Sequence, residues 1–125
     1  MRIAFAAAAL AAALAATPAA ATQGLHCRPS SGSGPTIDTV SSAQLIGVSV
    51  TERGMTRTTM TQNHDIAIRQ SWIDEQRVWI DLWDPSSMED QGRLRLAWAG
   101  RGRARHLAGT FVRGGRLYRM RCEES

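Results

Sequence analysis

The sequence contains no lysine, so all 15 of its basic residues are arginine, set against 11 Asp and Glu. Alanine and glycine are abundant beside that arginine, a bias that GC-rich coding produces by itself. Arginine content alone therefore does not argue for guanidinium chemistry. Cysteine is scarce: Cys27 and Cys122 are the only two, and no C-x-x-C spacing exists to support thiol redox chemistry. The histidines His26, His64 and His106 lie in separate segments without an H-x-H or H-E-x-x-H pair, so they read as surface or loop residues and not as metal ligands. A G-x-S-x-G nucleophile elbow and a glycine-rich phosphate loop of recognised spacing are also missing. No cofactor is expected.

Long apolar runs are missing too, with one exception. Met1-Arg2 is followed by an apolar stretch from Ile3 to Ala16, a break at Thr17-Pro18, and the small residues Ala19-Ala20-Ala21. This order matches a signal peptide spanning residues 1–21, and the stretch is short against the ~20 residues that cross a bilayer. The expected product starts at Thr22, is periplasmic or secreted, and keeps no integral membrane segment. Residues 22–125 are then one domain with a core of modest size. In an exported domain an even pair of cysteines reads as a disulfide, so Cys27 is expected to join Cys122 and to make the first and last strands neighbours.

What remains alternates. "QLIGVSVT" places Ile46, Val48 and Val50 on one face, and "DIAIRQSWI" places Ile66, Ile68 and Trp72 on one face. In "RVWIDLWD", Val78, Ile80 and Leu82 oppose Trp79, Asp81 and Trp83, while "RLRLAWA" sets Leu94, Leu96 and Trp98 against Arg93 and Arg95. Gly114-Gly115 marks a tight hairpin that aligns Phe111 with Tyr118 and turns Met120 and Cys122 inward. Period-two segments between short turns imply an all-β fold, a single small antiparallel sandwich or barrel of about eight strands stapled by one disulfide. Its expected core comprises Ile46, Val48, Ile66, Ile68, Val78, Ile80, Leu82, Leu94, Leu96, Phe111 and Tyr118.

Charge is divided unevenly along the chain. Residues 65–90 hold seven carboxylates and two arginines, whereas residues 91–121 hold nine arginines and no carboxylate. A basic face for an anionic envelope polymer or an acidic protein is one reading; pairing between strands of opposite sign is the plainer one. Export argues against nucleic acid. The candidate binding surface is a ladder of Trp79, Trp83, Arg93 and Arg95, which pairing would form beside Asp81, and which stands as either a ligand platform or a self-satisfying set of cross-strand contacts. A second candidate is "RGRARH", where Arg101, Arg103 and Arg105 would form an anion-binding comb if extended and a solvated turn otherwise. Asp81 with Asp84, or Glu89 with Asp90, provides carboxylate pairs, but "DPSSMED" reads as a solvated hairpin loop without the spacing of a calcium loop.

Together the leader, "LHC", "WIDLWDP" and "GTFVRGGRLYRMRC" resemble small arginine-rich exported domains of unknown function from high-GC Gram-negative bacteria. Two terminal cysteines framing a small β domain are also similar to the periplasmic inhibitors of c-type lysozyme. The chain departs from that family in lacking a Ser-Gly-x-x-Tyr loop and any lysine. These features imply an exported binding or inhibitor-type module without catalytic activity, with a structural or assembly accessory of the cell envelope as the alternative and a small hydrolase as a third.

Overall fold

The computed structural model describes residues 23–61 and 66–124; the expected leader, His64 and the side chain of Ile46 lie outside the described residues. Nine strands follow one another: β1 (Gln23–Pro29), β2 (Thr36–Ser41), β3 (Leu45–Glu52), β4 (Met55–Thr58), β5 (Ala67–Ile73), β6 (Arg77–Asp84), β7 (Glu89–Ala99), β8 (His106–Arg113) and β9 (Arg116–Glu124). They form one antiparallel sheet in the order β4-β3-β2-β1-β9-β8-β7-β6-β5. Among the described residues the end strands β4 and β5 meet no ladder partner across the seam, but β3 approaches β5, and the sheet curls into a nearly closed barrel. Curling is the natural outcome for a strongly twisted sheet of this width, because it buries one face of every strand in a common interior.

That interior is the aliphatic side of the alternation. Val48, Val50, Ile66, Val78, Ile80, Leu82, Leu94, Leu96 and Phe111 are buried together, joined by Ile37, Leu107, Met120 and both cysteines. Ile68 and Tyr118, expected in the core, are only partly buried and pack against its edge. Cys27 lies directly opposite Cys122 in the β1–β9 ladder, with Cα atoms 4.0 Å apart and the sulfurs bonded. The disulfide thus locks the β1–β9 ladder, which joins the two halves of the sheet. The glycine hairpin forms as expected: Gly114 (φ 58°) and Gly115 (φ 75°) take the left-handed conformations of a type I′ turn, and Arg113–Arg116 and Phe111–Tyr118 face each other.

Two irregularities alter the expected faces. In β5, Ile68 pairs with Leu82 and Gln70 with Asp81, so Arg69 is an extra residue in a bulge. A one-residue insertion reverses the alternation beyond it. Trp72, expected inside with Ile66 and Ile68, therefore stands outside opposite Trp79 and is 59% exposed. In β7, Leu82 pairs with Gly92 and Trp83 with Asp90, which makes Gln91 the extra residue. Trp98 is a further correction: it has the inward parity of Leu94 and Leu96, yet it lies near the strand's end, 36% exposed, with Arg105 over its ring at 4.4 Å.

Candidate functional site

The outer face of β5, β6 and β7 holds the site, and the Arg69 bulge builds it. By turning Trp72 outward opposite Trp79, the bulge makes an aromatic pair that regular alternation would have split between core and surface. Between them lies an open groove of about 410 Å³ lined by Gln70, Ser71, Trp72, Arg77, Trp79, Asp81 and Arg95. Its volume falls in the range of small-ligand sites.

Each wall is held in place. Asp74, in the turn between β5 and β6, accepts the Trp72 indole N–H at 2.8 Å through Oδ2, and the backbone N–H groups of Gln76 and Arg77 at 2.8 and 2.9 Å through Oδ1. One carboxylate thereby closes the hairpin and fixes the indole. Trp79 is flanked by the guanidinium carbons of Arg77 and Arg95, 4.9 and 5.2 Å from its ring centroid. Such stacking stabilises by ~0.5–1 kcal/mol at exposed sites.

The floor is Asp81, only 8% exposed although its strand position points outward. Arg95 Nη1 sits 2.7 Å from Asp81 Oδ1, and the Gln70 amide donates to Oδ2. Burial pushes the Asp81 carboxyl upward, but those two partners and the charge of Arg93 outweigh it and hold the group below the ordinary carboxylate range. Arg95→Ala would leave the carboxylate half-satisfied, with an expected loss of ~1–3 kcal/mol. Adding Asp81→Asn should recover part of that loss in thermal melts of the double variant, because the uncompensated charge is then gone.

Asp74 gives the site a pH signature. The hydrogen bond from Trp72, followed by that from the Gln76 amide, lowers its pKa from 3.8 to about 2. In the window between about pH 4 and pH 2 the unfolded chain binds more protons than the folded one, so this contribution is present above that window and is lost as pH falls through it. Full exposure screens the effect and keeps it small. The decline in melting temperature from pH 4 to pH 2 should be shallower in Asp74→Asn than in the parent; identical slopes would contradict this assignment.

The four ladder residues are not all brought together. Trp79 and Arg95 share the groove. Arg93 turns instead to Asp90 at 3.1 Å and borders a neighbouring hollow with Arg69, while Trp83 carries Arg69 over its ring at 5.6 Å. Among the described residues no second layer covers this face, and Trp79 is 42% exposed. The arginine comb does not form. Gly102–Ala104 is a 3₁₀ turn that breaks the extended run, leaving Arg101 and Arg103 exposed and sending Arg105 onto Trp98. Gln70 and Trp72 are the groove residues that alternation alone turns inward, and their signal is a pattern that breaks between Ile68 and Trp72; Arg77 already shares the parity of Trp79 and Asp81.

The carboxylate pairs are drawn into local structure. Asp84 accepts both the hydroxyl and the backbone N–H of Ser86, in that order of effect, which lowers its pKa, and Asp90 accepts the Gly92 N–H beside Arg93. Among the described residues, no group of three His, Cys, Asp or Glu side chains could hold a metal ion, and no helix is long and apolar enough to cross a membrane. No protein-family model, curated protein or solved structure matches the chain.

Proposed function

We propose that this chain is an exported, non-catalytic binding module whose outer Trp and Arg face takes an anionic partner. The observation that carries this reading is the open groove between Trp72 and Trp79, walled by two guanidinium groups and floored by a carboxylate ion-paired with Arg95. Broad aromatic area with few rotatable bonds, next to fixed planar donors, is a combination suited to recognition. The cross-strand disulfide supports an exported setting, since such bonds persist in oxidising compartments. Asp74, Asp81 and Asp84 are all shifted downward, which favours fixed negative charges over the raised pKa of a proton donor at neutral pH.

The test is affinity capture from an envelope extract with the mature chain and its Trp79→Ala variant. The expected result is a saturable partner retained by the parent and lost by the variant, whose melting temperature stays within a few degrees because the ring is surface-exposed. Capture that survives Trp79→Ala, or no saturable partner, would defeat the proposal.

A further inference from the structure

The strand register extends the groove into a track. One outward row runs Trp72, Trp79, Arg95, Thr110, Arg119 across β5, β6, β7, β8 and β9. The row beside it runs Arg77, Ala97, Ala108, Arg121, Arg28 across β6, β7, β8, β9 and β1. At ~4.8 Å between strands, each row covers roughly 19 Å of surface. The aromatic rings stand at one end with Arg77 and Arg95 beside them, Ala97, Ala108 and Thr110 follow, and Arg119, Arg121 and Arg28 occupy the far end. Arg119 and Arg121 are exposed and make no ion pair among the described residues. Arg28 is held by Glu123 at 3.2 Å, which marks where the cationic track stops.

We propose that the two rows form an extended site for a linear polysaccharide carrying carboxylates, lying across the strands with one sugar ring in the Trp72–Trp79 groove and its later acidic groups over Arg119 and Arg121. This rests on the reading of the Trp and Arg face as a binding surface and names its ligand class. The groove offers what a sugar ring requires. The Trp72 indole is pinned at its edge by Asp74, which pre-sets a flat apolar surface for the ring's C–H face. Asp81 Oδ1 is ion-paired with Arg95 and Arg77 Nε lies 3.6 Å from Asp74 Oδ2, so both guanidinium groups are held along the groove wall. Guanidinium forks match carboxylates in two-point geometry.

The arrangement fits a polysaccharide better than other polyanions. Single-stranded nucleic acid is tracked by aromatics interleaved with basic groups, whereas here the aromatics stand at one end and the rest of the track has none. An acidic protein segment would meet the same arginines without needing the ring-sized groove, and polyglutamate tests that alternative.

The experiment follows tryptophan fluorescence during titration with galacturonate oligomers, with neutral cello-oligosaccharides, polyglutamate and a single-stranded DNA oligomer as comparison ligands. The expected result is saturable binding of the acidic oligosaccharides, weakened by salt and at least tenfold tighter than that of the neutral ones. Trp72→Ala should lower the affinity for every acidic oligomer at least tenfold. Arg119→Ser with Arg121→Ser should weaken the long oligomers several-fold, flatten their salt dependence and leave the dimer unchanged. Melting temperatures of the variants separate lost binding from lost folding. Affinity independent of oligomer length, an equal loss for dimer and long oligomer in the arginine variant, or tighter binding of polyglutamate or DNA would overturn the polysaccharide track. Envelope capture that depends on Trp79 while galacturonate oligomers fail to bind would overturn this inference and leave the binding-module reading intact.

Discussion

Replacing Cys27 and Cys122 together with alanine should cause a large loss of stability. The bond closes a loop with a sequence separation of 95, nearly the whole described chain. In the chain-entropy account a closure of that size stabilises by ~4–5 kcal/mol. At ~4–8 °C per kcal/mol for a small domain, the melting temperature should fall by roughly 15–40 °C. The position of the bond adds a structural reason. Among the described residues, β1 and β9 form the only ladder between the β1–β4 half and the β5–β9 half, so loosening it allows the barrel to open there as well as at the seam. Thermal melts of the double variant against the oxidised parent measure the effect. A difference of only a few degrees would show that the ladder's hydrogen bonds and the shared core hold the halves together without the bond.

The second large effect is expected at Phe111, which is fully buried in β8 opposite Leu94 and Tyr118. Phe111→Ala should cost ~3–5 kcal/mol, the ring's transfer energy plus that of the cavity left behind. Gly92 is its counterpart. Beside the Gln91 bulge, Gly92 has φ +143°, and a Cβ added there would lie 2.4 Å from Phe111 Cζ. Gly92→Ala should therefore be destabilising on two grounds, backbone strain and overlap with the ring. In the Phe111→Ala background the overlap vanishes and only the strain persists. The double variant should thus be more stable than the summed single effects imply, by an interaction energy that urea denaturation can resolve. Strict additivity would mean that the ring does not depend on the space at Gly92.

Much of this fold is legible in the chain because period-two alternation is a direct consequence of a pleated strand with one wet face. Val78, Ile80 and Leu82 inside, Trp79 outside, and the Gly114-Gly115 register all follow from that rule and from the φ values that glycine alone adopts easily. The pairing of the two cysteines follows from their number and from the expectation of export. The β6–β7 hairpin also placed Trp79 beside Arg95, since opposite residues on one face of a ladder must meet.

Bulges are where alternation stops being sufficient. An extra residue leaves no mark in composition, yet it reverses every side chain beyond it, so Trp72 reads as core and stands on the surface. The same shift at Gln91 helps part Arg93 from the groove. Strand ends are a second gap, because Trp98 keeps inward parity while little of the barrel remains to cover it. By itself, the sequence determined the class of fold, the staple and most of the interior, since each depends on local periodicity and on residue type. Only the tertiary structure decided that the sheet curls into a nearly closed barrel, that Trp72 joins Trp79 outside it, and that Arg119 and Arg121 continue their rows. Those outcomes depend on register across strands distant in sequence, a quantity set by bulges and by the packing of the whole core rather than by any one segment.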